Sequence, residues 1–357
     1  MPAVEATTPP RSLPPIPPPP STETTHAEPS RDPGWWRRRV APFERSSWRH
    51  AGVQIANTVI PALVLLAAMI ATCRDHYGIT LLLSIPAAGF FVRLFILQHD
   101  CGHGSFVPSA IGNHLLGCFL GVFTITPYFA WRLNHATHHA WSGKLDRRVP
   151  GAEFYTMTVE EYARLSPRRR LLYRIYRSPW LLLGIGGMFA FVLDNRRFSS
   201  VSGRSRLRDR LSVWLTNAAI VALAWAVGPS RYALVYAPLV ILAGTPAVVL
   251  FYVQHLFEIA YFARDSRWKH FDAAVTGSSL FKLPKVLAFF TGSIGYHHIH
   301  HLSPRVPNYA LVECHRELES SIDPPVLHLA DVPRLLRLAL WDEARGKLVS
   351  FKDSGVS

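Results

Sequence analysis

Four histidines fall within five positions at His297, His298, His300 and His301. Two earlier clusters share the pattern: His99 with His103, and His135 with His138 and His139. Imidazole is the commonest metal ligand at neutral pH. On an α-helix, positions i, i+3 and i+4 lie on one face. His99 and His103 have i, i+4 spacing, while His135/His138/His139 and His297/His300/His301 each form an i, i+3, i+4 triplet. With His255, which closes an apolar run, the set suits two metals with four or five ligands each. The triplet His297/His298/His301 also shares a face, so the role of His298 stays open, with an outer position beside the ligands as its expectation. A catalytic zinc site needs about three protein ligands and a water, so this set is too large for one. Imidazole also suits iron, copper and nickel. All-histidine ligation without bridging carboxylates favours binding O2 and activating it with electrons from outside. Asp100, Asp146 and Glu258 are expected as acceptors for histidine N–H groups rather than as ligands. His26, His50, His76, His114, His270, His315 and His328 stand alone and read as ordinary surface or interface residues.

The elements that must carry these clusters are apolar. The chain has 357 residues, of which 49% are hydrophobic, and its mean hydropathy is +0.14. Apolar runs of about 20 residues cover the hydrocarbon core of a bilayer. Four such runs are expected as spans, at about 53–72, 78–97, 211–228 and 232–253. Residues 110–130 are apolar but interrupted by Asn113, His114, Gly117, Gly121 and Pro127. If they crossed the membrane, the second cluster would land opposite the first. They are therefore expected to dip in and return, or to lie in the interface. The run 180–193 is too short to span comfortably and is expected at the interface. Arg93, near the end of the second run, is expected to reach the headgroups. Residues 1–33 are rich in proline, with the run Pro17–Pro20, and read as a disordered tail before a single domain over 34–357. No secretory leader is expected, because the N-terminus has no apolar core.

The formal charge is +14. Lys and Arg gather before the first span, between 131 and 210, and after 263, whereas the two short connectors hold Arg74 and Arg231. The positive-inside rule then places both termini and all histidine clusters on the cytoplasmic side. The spans make nucleic-acid binding an unlikely use of the charge; anionic lipid and an acidic partner fit it equally. Four scattered cysteines form no CxxC pair and suggest neither a disulfide framework nor a thiolate zinc site. The expected fold is an all-α integral membrane protein. Four transmembrane helices form two hairpins, and a cytoplasmic helical cap carries a histidine-ligated two-metal site.

The boxes HDCGHGSF (99–106), WRLNHATHHA (131–140), YVQHLFE (252–258) and TGSIGYHHIHHLSPRVPNY (291–309) resemble those of the membrane fatty-acid desaturases, most of all bacterial enzymes acting on phospholipid acyl chains. The resemblance covers about residues 90–310. It implies two iron ions, O2 as oxidant and two electrons from ferredoxin or a similar carrier. It places the ligands on His99, His103, His135, His138, His139, His255, His297, His300 and His301. It implies stepwise removal of one hydrogen from an unactivated methylene and one from its neighbour, leaving a cis double bond and water. Selectivity must then come from positioning, so a narrow apolar tunnel is expected, with Phe119, Phe123, Phe129, Trp131 and Phe251 as candidate walls. A bacterial plasma membrane is the expected location. A related di-iron hydroxylase, ketolase or conjugase would share the boxes. A histidine-rich metal transporter would instead place its ligands near the bilayer midplane.

Overall fold

The computed structural model describes residues 34–148, 154–193, 196 and 207–356. The proline-rich tail expected over 1–33 lies outside them, as does His26. Four helices are long and apolar enough to cross a membrane: span 1 (Trp48–Thr72), span 2 (Tyr77–His103), span 3 (Leu207–Val227) and span 4 (Pro229–His255). Spans 2 and 4 form the interior. Half of the apolar window of span 2 and 44% of that of span 4 are buried, against 17% for spans 1 and 3. The outer pair shows lipid-type side chains such as Val53, Ile60, Val64, Trp214 and Trp225 to the exterior.

All four expected spans are present, and spans 2 and 4 run on past the apolar stretch. Hydropathy finds only the membrane-embedded part. Helical hydrogen bonding continues through the polar Gln98–His103 and Gln254–His255, which carry ligand candidates at their ends. Ser47 starts span 1, its hydroxyl accepting from the His50 N–H. Gly104 ends span 2 with φ 72°, a left-handed conformation glycine adopts without a Cβ clash, and its N–H closes onto Asp100 and Cys101 carbonyls.

Between spans 2 and 3, helices Ala110–Phe123 and Tyr128–Trp141 meet at a bend of 104°. The break is tight: the Thr126 N–H bonds the Gly121 carbonyl (2.8 Å), and Gln98 reaches the Thr126 carbonyl (3.2 Å). Because His103 and His135 meet at the same cluster, the chain between them starts and ends at one face. That fits both expected arrangements, a segment that dips in and returns and one that lies in the interface, and not a full crossing.

Two expectations change. Arg93 does not reach outward. It is 4% exposed, its Nε donates to Thr58 Oγ1 (2.9 Å), Nη1 donates to the Phe289 carbonyl, and its guanidinium lies 4.0 Å from the Phe289 ring centre. Its head is taken up inside the protein, where it ties the helix Lys285–Phe290 to spans 1 and 2. The run 180–193 also sits deeper than an interfacial segment. It forms short helical pieces, Pro179–Leu181, Leu182–Gly186 and Gly187–Val192. Its Leu183 carbonyl accepts from Thr245 Oγ1 (2.6 Å), about 15 Å along span 4 from His255.

The remainder caps the spans. It is helical, and adds two small sheets too short to announce themselves by alternation. Met157–Thr158 pairs with Leu338–Asp342, which pairs in turn with Lys347–Ser350; Leu280–Lys282 pairs with Val326–His328.

Replacing Thr58 by valine removes the acceptor of the buried Arg93 Nε. A donor stranded in this way costs about 1–3 kcal/mol. The melting temperature in detergent is expected to fall, and an unchanged value would refute the tie.

Candidate metal centre

Each histidine reaches the centre from an element end. His99 and His103 come from the last turn of span 2, His255 from the last residue of span 4, and His135, His138 and His139 from the second arm of the bent pair. The third cluster occupies the short helix His297–Leu302, every residue of which is buried. A turn with positive φ at Gly292 (53°) and Ser293 (58°) feeds this helix. Gln254 holds that turn by donating to the Ile294 carbonyl (3.0 Å), and the Phe281 N–H holds it by donating to the Gly295 carbonyl (2.8 Å).

The nine histidines of the expected set form two groups. His99, His103, His135, His139 and His300 offer nitrogens within 4.8 Å of one another, as do His138, His255, His297 and His301. The division is not box by box. In the second cluster the i, i+4 pair His135/His139 joins the group of five and His138 joins the group of four. In the third cluster the sense reverses: His297/His301 join the four and His300 joins the five. The two groups adjoin where the rings of His139 and His301 stack at 4.2 Å.

The nitrogens point inward at ligand spacing. Nε2 of His255 lies 2.9 Å from Nε2 of His297 and 3.1 Å from that of His138, which is 3.2 Å from that of His301. In the larger group, Nε2 of His139 lies 3.1 Å from that of His135 and 2.9 Å from that of His300. Two nitrogens at right angles on one metal, with bonds of about 2.1 Å, would sit about 3 Å apart. His103 Nε2 is buried with no hydrogen-bond partner. Burial first, and neighbouring imidazoles second, hold His297, His300 and His301 well below the usual imidazole range. They are therefore neutral, with a lone pair available. The donor set fits two soft-to-borderline metal ions and offers no carboxylate to either.

The surrounding carboxylates divide. Asp100 is 1% exposed; its Oδ1 meets His99 Nδ1 (3.1 Å) and its Oδ2 accepts from the Asn308 N–H (2.6 Å). It thereby ties the first box to the end of the third and turns His99 Nε2 inward. Asp146 and Glu258 are not placed as acceptors for histidine. Asp146 is taken by Arg264 Nη1 (2.7 Å) and the Asp265 N–H (2.9 Å), and Glu258 pairs with Arg334. Arginines on the cap compete for both, and spacing along the chain does not show them.

His298 turns away from both groups. Its Nε2 lies 2.9 Å from Nδ1 of His315, on the helix Leu311–Leu318. His315, read from sequence as standing alone, is the partner that this reading missed; seventeen residues of separation carry no periodic signal. Of the aromatic candidates, Trp131 stacks on His135 (4.8 Å, 14°) and Phe251 packs 5.0 Å from His138 and 5.2 Å from His255. These two border the two groups. A Cβ on Gly102 would come within 2.7 Å of the Trp131 ring, so glycine at 102 is what lets the indole seat there. Phe129 packs on Tyr128 and His114, and Phe119 on Phe123. Phe119 is half exposed. A small pocket of about 10 Å3 opens beside His255 and Phe251, lined also by Ser142, Phe154, Leu256, Tyr261 and Phe262.

Residues 76–331 match the family model described as fatty acid desaturase. The chain belongs to the fatty acid desaturase family. This desaturase is 41% identical over 319 residues to a fatty acid desaturase of Bacillus subtilis (strain 168), covering 88% of this chain and 90% of that one. It is 24% identical over 303 residues to an Arabidopsis thaliana protein named acyl-lipid omega-3 desaturase (cytochrome b5), endoplasmic reticulum, covering 76% and 72%. Over 246 residues it is 27% identical to the sn-1 oleoyl-lipid 12-desaturase of Synechocystis sp., covering 64% and 65%. The desaturase is thus an oxidoreductase of lipid metabolism, and the oxygen chemistry anticipated from its histidines belongs to its family.

Asp100→Asn keeps the size of the side chain, removes its charge and leaves one acceptor oxygen for two donors, His99 Nδ1–H and the Asn308 N–H. Loss of such an outer partner costs about 10–100-fold in metal affinity. One metal per chain is expected to dissociate that much more readily while the second is retained, measured by metal analysis during chelator titration. Equal weakening of both sites, or of neither, would contradict the placement.

Proposed function

We propose that this protein introduces a cis double bond into the acyl chain of a membrane phospholipid, using O2 and two electrons, at a di-iron centre held by the nine histidines. The observation that carries this is the division of nine inward-facing imidazoles into adjoining groups of five and four. Iron bound there would supply the oxidising power to break an unactivated C–H bond. The balanced change removes two hydrogens from neighbouring methylenes, and O2, two electrons and two protons become two waters.

The chain's own residues do the rest. Asp100 fixes the His99 ring. Trp131 and Phe251 present apolar faces beside the two groups, and Phe154, Leu256 and Phe262 line the small pocket next to His255. An acyl methylene offers no charge or hydrogen bond, so these walls can select a carbon only by shape and depth. The relatives named for lipid-linked acyl chains support phospholipid as the carrier. The charge pattern supports a cytoplasmic site within a bacterial plasma membrane, and a small soluble donor of the ferredoxin type as the electron source.

Expression in a bacterium with simple lipids, followed by mass spectrometry of acyl methyl esters, tests this reading. New internal monoenes or dienes are expected, and hydroxy acids would instead favour the oxygen-inserting relatives. His138→Ala and His300→Ala each remove the one nitrogen by which their box crosses to the opposite group. Each is expected to abolish product while the protein remains inserted; normal product from either would overturn the ligand assignment.

A further inference from the structure

The buried Arg177 belongs to no part of the chemistry above. It is 2% exposed and has no carboxylate partner among the described residues. Its Nη2 donates to the Tyr252 hydroxyl (2.9 Å) and the Leu338 carbonyl (3.0 Å), and its Nη1 to Thr156 Oγ1 (3.3 Å). Its Nε has no partner among the described residues. A buried cation with an idle donor costs free energy unless something supplies the missing charge.

Arg177 lines a cleft of about 690 Å3. The cleft also gathers Arg174, Arg337, Lys347 and Lys352. Arg337, Lys347 and Lys352 are exposed and have no acidic partner among the described residues. Two further arginines on the rim are engaged, Arg334 by Glu258 and Asp331, and Arg345 by Asp342. The carboxylates lining the cleft are Glu258, held by Arg334, and Asp353, which accepts from Ser350 Oγ. The surplus is positive, and guanidinium groups match phosphate oxygens in geometry.

The surroundings specify where such a phosphate would come from. Helix Pro167–Tyr176 ends at the cleft. It exposes Leu171 and Leu172, at 57% each, and Ile175, at 48%, beside the exposed Arg168, Arg169 and Arg174. Trp180, on the next turn, is 90% exposed. Apolar and cationic side chains mixed on a short helix, followed by an outward tryptophan, are the composition of a segment seated in the headgroup layer. From Pro179 onward the chain descends along span 4. Tyr252, which holds Arg177, lies one turn before His255, so the cleft opens at the same membrane face as the histidine centre.

We propose that this cleft binds the headgroup phosphate of an anionic bilayer phospholipid, with Arg177 at its floor and Arg337, Lys347 and Lys352 around it. The bound lipid anchors the cap to the membrane surface. The site is independent of which lipid supplies the acyl chain, since it stands on charge, burial and placement alone.

The test uses the full chain in detergent, offered equimolar phosphatidylglycerol and phosphatidylcholine and examined by native mass spectrometry. Retention of phosphatidylglycerol several-fold above phosphatidylcholine is expected. The triple variant Arg337→Gln, Lys347→Gln, Lys352→Gln, all three surface positions, is expected to bring the ratio to about one with the melting temperature in lipid-free detergent unchanged. Arg337→Glu alone should lower the ratio by at least half. Equal retention of both lipids by the unaltered protein overturns the proposal, as does a triple variant that keeps the preference. Displacement of phosphatidylglycerol by millimolar inorganic phosphate at low ionic strength, where an equal concentration of chloride does not displace it, would make the cleft a free-anion site and also overturn it. So would a triple variant that keeps its lipid preference but loses reduction by an acidic electron carrier, since the surface would then be a protein-docking face.

Discussion

The rest of the structure depends on the convergence of imidazole nitrogens about 3 Å apart. Such an arrangement is unfavourable on its own. Each ring must give up hydration, stay neutral and aim a lone pair at its neighbours' lone pairs. A polypeptide holds rings that way only if their backbones are anchored independently. The anchors are visible. Spans 2 and 4 are the more buried of the four spans, and each ends on a ligand candidate. The third cluster sits on a six-residue helix too short to be stable in isolation. It is buried over its whole length and held by Gln254, Phe281 and Asp100. A metal bound between the nitrogens would turn this repulsive contact into the strongest cross-link in the fold.

The division of the boxes explains why the spacing recurs. Residues i and i+4 differ by about 40° around a helix, and i+3 lies about 60° to the other side. A box of the form HxxHH therefore aims two rings one way and the third another. Placing two such boxes against each other with opposite sense lets each contribute to both groups. Neither group can then be assembled from one segment. The centre forms only when span 2, the bent pair, span 4 and the cap are all in place, which couples metal binding to the whole tertiary structure.

Much of this was legible in the chain itself. Hydropathy marks the spans because a bilayer demands about 20 apolar residues wherever it is crossed. Histidine spacing marks the centre because helix geometry is local. What could not be read depends on partners far apart in sequence. Spacing leaves His297/His298/His301 and His297/His300/His301 equivalent, each spread over about 100°. His315, from another helix, takes His298 out of the set. Asp146 and Glu258 lie close in sequence to histidines yet face arginines of the cap. Arg93 looked like a snorkelling residue because the apolar pattern ends near it, while the helix does not. In each case the winning interaction is a tertiary hydrogen bond or ion pair with no periodic signature.

The same reasoning bears on how a reaction at a featureless carbon can be selective. Trp131 and Phe251 touch the histidine groups, but an apolar wall resists sliding of an acyl chain only weakly, because each methylene resembles the next. One buried CH2 is worth about 0.8 kcal/mol wherever along the chain it lies. Register must be set at an end of the lipid that differs from the middle, either the terminal methyl against a closed floor or the glycerol and headgroup against something polar. The pocket beside His255 is lined by Phe154, Phe251, Leu256 and Phe262 and offers shape. The ring of Phe154 also lies 5.2 Å from that of Tyr252, whose hydroxyl accepts from Arg177. The small pocket and the basic cleft thus stand on two sides of one aromatic pair.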